Sequence, residues 1–361
     1  MTDRTTPARR DFLKGIGLIP ATAALVGLAA PLTSGRARAA AANGTAAPAT
    51  AANIARDPAD VPAPIGWRTP QHVRFELETV ETTGQLANGV AYQYWTFRRP
   101  GEAPQVPGPL LRARVGDTIE IRLSNSRASA MMHNIDLHAV MGPFGGSQAT
   151  ECAPGETKSF AFKATKPGLF VYHCATPSVA MHISNGMHGM ILIEPASGLP
   201  KVDREFYIMQ SEIYTEQAFG TPGTATVSYD KILAETPEYY VFNGAADALT
   251  KRHPLKGRVG ETVRFFFGVG GPNKAASFHV IGQIMERLYD QASLVAKPLE
   301  AVQTTTVAPG GAIVAEFSLL VPGTFAIVDH AIARIERGAK GLLIVEGPEN
   351  FAIFNPHPPA A

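Results

Sequence analysis

The sequence predicts an all-β protein made of two β-sandwich domains in tandem. The chain has 361 residues, which is more than one ordinary small domain needs and suits two. Its 34 glycines and 29 prolines are expected where many short strands are joined by tight turns. A hydrophobic content of 45% allows substantial cores. An internal repeat then divides the chain into two domains.

The second half of the chain repeats three segments of the first half. The matched pairs are LRARVGDTIEIRLSN at 111–125 with LKGRVGETVRFFFGV at 255–269, APGETKSFAFKATKPGLFVYHCA at 153–175 with APGGAIVAEFSLLVPGTFAIVDHA at 308–331, and GMILIEP at 189–195 with GLLIVEG at 341–347. Each copy contains alternating short strands broken by Pro-Gly turns, which is typical of a β-sandwich. We therefore predict one domain at 63–197 and a second at 198–361.

The N-terminus has the features of an export signal. Arg9-Arg10 and the following Phe-Leu-Lys precede an apolar run at 15–30, and small residues near 37–39 offer a cleavage site. Twin arginines mark the bacterial twin-arginine route, so we predict a signal peptide at 1–39 and a periplasmic protein. The alternative is an uncleaved membrane anchor. No apolar run reaches the roughly 18 residues of a membrane span, so none is predicted in the mature chain.

The segment at 40–62 is rich in Ala, Thr, Pro and Asn and has no periodicity, which predicts a flexible leader. Residues 1–39 carry six basic and two acidic residues, so their removal changes the formal net charge from +1 to −3. The mature chain has no basic patch. This excludes nucleic acid as a partner.

The strongest motif is YHCATPSVAMHISNGM at 172–187, in which Cys174, His182 and Met187 follow the spacing Cys-x₇-His-x₄-Met. A thiolate, imidazoles and a thioether form a soft ligand set that selects copper, and His₂Cys with a weak axial Met is typical of a blue-copper electron-transfer site. The missing histidine should lie upstream. HNIDLHA at 133–139 offers His133 and His138.

A second metal site is indicated by His173, the neighbour of Cys174 near a strand end. Successive side chains on a strand point to opposite faces, so one peptide unit could connect two metals. A first set of His133, Cys174, His182 and Met187 leaves His138 and His173 needing one more histidine. The candidate is His330. A three-histidine site leaves a coordination position open for substrate.

Two further side chains could move protons at this second site. Asp136 lies between the two histidines of HNIDLHA, and the His279 imidazole is a side chain of the type that most often serves in general acid–base catalysis. The second copy of the repeat cannot build a thiolate site, because Asp329 occupies the position of Cys174. The other cysteine, Cys152, is expected to be a small buried residue.

In these motifs, with SFHVIG at 277–282 and VDHA at 328–331, the sequence resembles the copper-containing nitrite reductases of denitrifying bacteria, in the subgroup with a compact loop between Cys174 and His182. The resemblance implies two Greek-key cupredoxin domains and a homotrimer. It implies copper as cofactor at two sites, which are listed here with the residues around the substrate: type 1, His133, Cys174, His182 and Met187; type 2, His138, His173 and His330 of the neighbouring subunit; catalytic, Asp136 and His279; apolar residue above the substrate, Ile281.

The resemblance also implies the reaction: nitrite is reduced to nitric oxide with one electron and two protons, as in denitrification. The electron would come from a small periplasmic donor, a cupredoxin or a cytochrome c, and would cross through Cys174 and His173. Asp136 and His279 would deliver the protons. One departure is Gln303, where some members carry an acidic residue before Thr304, so the tuning around the site is expected to differ.

Two alternatives make different demands on the sequence. A two-domain laccase-like multicopper oxidase builds a three-copper cluster from His-x-His pairs and a His-Cys-His motif, whereas Ala175 follows Cys174 here. A non-catalytic cupredoxin for electron transfer explains the ligands of the first site but gives no role to four other side chains: Asp136, His138, His279 and His330.

Overall fold

The computed structural model describes residues 51–357. The predicted signal peptide at 1–39 lies outside the described residues, as does the first part of the predicted leader. Among residues 51–357 the structure contains no helix long and apolar enough to cross a membrane.

The described residues form nineteen strands. These are β1 His72–Ala87, β2 Val90–Arg98, β3 Leu111–Arg114, β4 Thr118–Asn125, β5 Asp136–Leu137, β6 Thr157–Lys163, β7 Gly168–His173, β8 His188–Glu194, β9 Arg204–Ile213, β10 Gly223–Ala225, β11 Tyr239–Phe242, β12 Leu255–Arg258, β13 Thr262–Val269, β14 Ala276–Val280, β15 Arg287–Tyr289, β16 Thr304–Val307, β17 Ala312–Ser318, β18 Gly323–Asp329 and β19 Lys340–Glu346.

The helices of the described part are all short. The two α-helices are α1 Val179–Ser184 and α2 Tyr229–Leu233; the 3₁₀-helices are Pro143–Thr150, Asp290–Ala292 and Ile332–Arg337; and a π-helical turn covers Ala248–Arg252. The all-β prediction is confirmed.

The strands form four sheets, two in each half of the chain. The first half has the orders β10-β2-β1-β4-β6 and β3-β8-β7-β5, and the second half has β11-β9-β13-β17-β15 and β12-β19-β18-β14-β16. The repeat is visible in the pairing: β4 lies parallel to β1 and antiparallel to β6, and β13 lies parallel to β9 and antiparallel to β17. Strand β10 follows the predicted boundary in sequence, yet it extends a sheet of the first half.

Strand β4 shows why these segments form sandwich strands. Ile119, Ile121 and Leu123 are fully buried, while Glu120 and Arg122 alternate with them on the outer face. This period of two places one face on a core. Strand β8 is instead buried along its whole length. One face of β8 joins the core of the first half, and the other packs against apolar side chains of the second half.

The described part of the predicted leader, residues 51–62, is packed on the body, so a flexible leader is wrong for this segment. Ile54, Ala55 and Arg56 are fully buried. The Ala52 amide donates to Thr83 O at 3.3 Å, and Arg56 Nε donates to Pro107 O at 2.7 Å. Periodicity could not predict this packing, because the segment pairs with Gly84 of β1 and with the loop at Val106 in single bridges and does not form a full strand.

Candidate metal centres

The buried candidate centre is assembled from three places in the first half. His133 exchanges backbone hydrogen bonds with Cys152, Cys174 directly follows β7, and His182 lies on α1. The Cys174 amide donates to Met187 O at 3.1 Å, which holds the turn after α1 against the end of β7. At Gly186, with φ of +116°, a Cβ would press on Val106 and on the backbone, so this turn requires glycine.

Three ligand atoms converge in this centre. The Nδ1 atoms of His133 and His182 are 3.2 Å apart, and Cys174 Sγ is 3.4 Å from His182 Nδ1. All three side chains are fully buried, as is Met187 in the same apolar cluster. Two imidazole nitrogens and one sulfur at these separations fit a trigonal His₂Cys copper site, with Met187 available as the weak axial ligand.

Burial keeps the two imidazoles in the neutral form that binds a metal. Burial lowers the pKa of His133 and of His182 to about 4, so both rings are neutral at pH 7. Burial raises the pKa of the Cys174 thiol, so a metal would have to displace its proton. The backbone amide of Asn134 donates a hydrogen bond to Cys174 Sγ at 3.5 Å, which favours the thiolate.

Two residues that contact this centre were not predicted from the sequence. The Trp95 ring lies 4.7 Å from the His182 ring and 5.6 Å from the His133 ring, between ring centroids. Glu81 Oε1 is 3.3 Å from His133 Nε2. Glu81 lies on β1 and Trp95 lies on β2. Both are far from the ligands in sequence, and no motif marks them. Cys152 is buried and unbridged, as predicted.

The second candidate centre lies on the other side of the same strand end. His138 Nε2 and His173 Nε2 are 3.2 Å apart, and Asp136 Oδ2 is 4.0 Å from His173 Nε2. Asp136 pairs directly with His173 between β5 and β7. His138 is exposed and the other two are half-buried, so the centre is open to solvent.

The tautomer of His173 suits a metal ligand. Its Nδ1 donates to Cys174 O at 3.0 Å, which leaves Nε2 as the free nitrogen facing His138. Burial lowers the pKa of His173, which favours the neutral ring. Gly145 has a φ of +56°, and a Cβ there would overlap Asp136 Oδ1. Glycine is therefore required beside the carboxylate.

The remaining predicted residues lie together in the second half. His279 is on β14 and His330 directly follows β18, with ring centroids 5.4 Å apart. His279 Nδ1 donates to Gln303 O at 2.7 Å. Ile281 follows β14 and is 45% exposed. In the described part of this single chain, the ligand-atom cluster around His138 contains Asp136 and His173 and does not include His330.

Asp329 fixes the backbone next to His330. This fully buried carboxylate accepts hydrogen bonds from the amides of Ser277 and Ala331, at 3.1 and 3.0 Å. It also accepts from Gln210 Nε2 at 2.7 Å and from Arg334 Nη1 at 2.6 Å. The His330 amide in turn donates to Ser277 O at 2.7 Å.

The chain is similar to known proteins in sequence and in structure. The model of the multicopper oxidase family matches residues 89–198. The copper-containing nitrite reductase of Neisseria meningitidis is 48% identical over 82% of this chain and 75% of its own length. That of Cereibacter sphaeroides is 33% identical over 90% of this chain and 94% of its own. The copper nitrite reductase structure from Nitrosomonas europaea has 31% identity and a TM-score of 0.67, covering 78% of this chain and 95% of that one.

Proposed function

The chain belongs to the copper-containing nitrite reductases, and we propose that it reduces nitrite to nitric oxide and water. The reaction consumes one electron and two protons: NO₂⁻ + e⁻ + 2H⁺ gives NO + H₂O. One observation carries the proposal. His173 and Cys174 are neighbours in sequence, yet one belongs to an open histidine pair and the other to a buried His₂Cys cluster. This arrangement supports an electron carrier connected to a substrate site.

We assign the buried cluster as the type 1 copper site, with ligands His133, Cys174, His182 and Met187. The exposed pair His138 and His173 would form the type 2 copper site with His330 of the partner subunit. Copper bound at these two sites would supply electron storage and a Lewis-acidic position for nitrite. Both donor sets fit copper. The type 1 ligands are soft and buried, and the imidazoles of the type 2 site are open to solvent.

The roles of the surrounding residues follow from their atoms. Asp136 Oδ2 can hold a proton beside the open centre, 4.0 Å from His173 Nε2. The bond from His279 Nδ1 to Gln303 O leaves His279 Nε2 as the atom that takes up and releases a proton. His279 lies beside His330, so both would reach the centre from one partner subunit. Ile281 would limit the space above the substrate.

The cellular setting is also a proposal. The twin arginines at 9–10 and the apolar run after them support export to the periplasm. A homotrimer would bring each His330 to a neighbour, and a small cupredoxin or cytochrome c would supply the electron. This places the reaction in denitrification.

The family model that matches residues 89–198 favours a multicopper oxidase as the alternative. A laccase-like enzyme needs a cluster of three coppers. In residues 51–357 only two groups of metal-binding side chains occur, each with three members and the size of a single-ion site. A non-catalytic cupredoxin leaves Asp136 and the His138–His173 pair without a role.

The test is nitric oxide release from nitrite by the purified protein with a chemical reductant, together with copper counted per chain. The proposal expects nitric oxide and copper at both sites. Oxygen consumption with phenols and no nitric oxide would favour the oxidase instead.

A further inference from the structure

Glu81 on β1 holds together the loop that carries a type 1 ligand. Its Oε1 accepts hydrogen bonds from the amides of Ala130 and Met131, at 3.0 and 2.9 Å. The same oxygen is 3.3 Å from His133 Nε2. The Glu81 side chain is only 10% exposed. One carboxylate oxygen therefore contacts both the backbone of the loop that leads to His133 and the His133 ring.

This contact determines which nitrogen of His133 faces the centre. A carboxylate accepts, so Nε2 must carry the ring proton and Nδ1 must be free. Nδ1 is the atom 3.2 Å from His182 Nδ1. A carboxylate that accepts from the outer nitrogen of a metal-binding histidine fixes its tautomer and orientation and raises its basicity.

We propose that Glu81 is a positioning residue that lowers the reduction potential of the type 1 copper and strengthens its retention through His133. The proposal rests on the type 1 ligand set given above. A nearly buried negative charge stabilises copper(II) over copper(I), because the extra positive charge of the oxidised ion lies in a medium of low dielectric constant.

The hydrogen bond to Glu81 is made by only one of the two imidazoles, His133, although the Glu81 charge also acts to raise the pKa of His182. His182 Nε2 is buried and has no hydrogen-bond partner among the described residues. Its ring faces Trp95 instead. The carboxylate therefore makes the two histidine ligands unequal, and changing it should alter the potential without removing a ligand.

The test is Glu81→Gln, with Glu78→Gln as the matched control. The glutamine oxygen can still accept from the three N–H groups, so the fold and the loop are kept while the charge is removed. Glu78 lies three residues earlier on β1 and is paired with Arg98 at 2.7 Å, away from His133. Two quantities are measured. The first is the reduction potential of the type 1 copper, monitored through the thiolate-to-copper band, and the second is the retention of copper against a chelator.

We expect Glu81→Gln to keep the band and to favour reduction of type 1 copper by about tenfold, which is about 59 mV for one electron. Copper affinity should fall by about 10-fold or more, as is typical when an outer partner of a ligand is lost. Glu78→Gln should match the wild type in both. Equal potentials in the two variants would overturn the proposal and leave Glu81 as an anchor of the 130–131 loop.

A measurement on the wild type covers the case in which Glu81→Gln does not fold. In the diamagnetic copper(I) protein with ¹⁵N-labelled histidine, the His133 Nε2 proton should exchange slowly with water. Exchange at the rate of a free imidazole overturns the proposal. A wild-type protein that has no thiolate-to-copper band would instead refute the type 1 ligand set itself.

Discussion

The ends of β7 and β18 occupy matched places in the repeat but have different chemistry. After β7, Cys174 enters a buried cluster with two histidines, and His173 turns to the solvent side. After β18, Asp329 occupies the cysteine position and is satisfied by four hydrogen bonds from protein donors. The first sandwich therefore uses this position for a buried His₂Cys cluster, which we propose binds the type 1 copper, while the second uses it to fix the backbone before His330.

The largest effect should come from Cys174→Ala. The first sandwich then resembles the second, with no thiolate after the strand. We expect loss of the visible thiolate-to-copper band and of nitrite reduction driven through the type 1 site, while copper at the His138 site remains. Absorption spectra and copper analysis check this. A surviving band would show that Cys174 is not the ligand.

Asp136→Asn tests the proton-donor role that we propose for Asp136, which pairs with His173 across β5 and β7. The amide keeps the shape but cannot deliver a proton, and general acid catalysis typically contributes 10²–10⁴-fold. We expect both coppers to stay bound and nitrite reduction to slow by roughly 10²-fold. Full activity across the pH range would mean that Asp136 has only a structural role.

Asp329→Asn tests the positioning role of the carboxylate in the second sandwich. An Nδ2 in the place of Oδ2 would face the donors of both Gln210 and Arg334, and breaking a buried ion pair typically costs about 3 kcal/mol or more. We expect lower stability and about 10-fold weaker copper binding at the type 2 site, with the type 1 band unchanged. Asp203→Asn, at an exposed carboxylate of the same half, should change neither. Unchanged type 2 copper in Asp329→Asn would contradict this role.

The smallest expected effect is on the pH dependence of the free energy of unfolding. The contributions of the two halves of the chain should have opposite signs. In the copper-free first half, His133 and His182 have pKa values lowered to about 4, so stability falls as pH drops from about 6.5 towards 4. In the second half, burial raises the pKa of Glu212 to about 7. The folded state then binds more protons than the unfolded state between pH 4.5 and 7, so this contribution falls as pH rises through that window.

Glu212→Gln separates the two contributions. The variant should gain stability relative to the wild type above pH 7 and lose this part of the pH dependence, because no charge has to form in the core. Urea unfolding of the copper-free protein at pH 5 and pH 8 measures it. A stability difference between variant and wild type that is equal at both pH values would show that Glu212 does not titrate in this range.

The sequence predicted the elements that depend on local pattern. The repeat led to the two sandwiches, and the Cys-x₇-His-x₄-Met spacing led to side chains that the structure brings together. Contacts between distant strands were not predictable. Glu81 and Trp95 lie on ordinary strand positions, and their role depends on the packing of β1 and β2 over the loop at His133. Strand β10 crosses to the other half for the same reason, since three residues carry no pattern of their own.

We propose that the first sandwich of one subunit and the second sandwich of another build one catalytic site. His330→Ala and His138→Ala should each lose type 2 copper and nitrite reduction while keeping the type 1 band. When the two inactive proteins are mixed in equal amounts under subunit exchange, about a quarter of the interfaces should pair an intact His138 with an intact partner subunit's His330, as expected for a head-to-tail ring. Nitric oxide production should recover to about that fraction. No recovery, with exchange shown independently, would contradict this proposal.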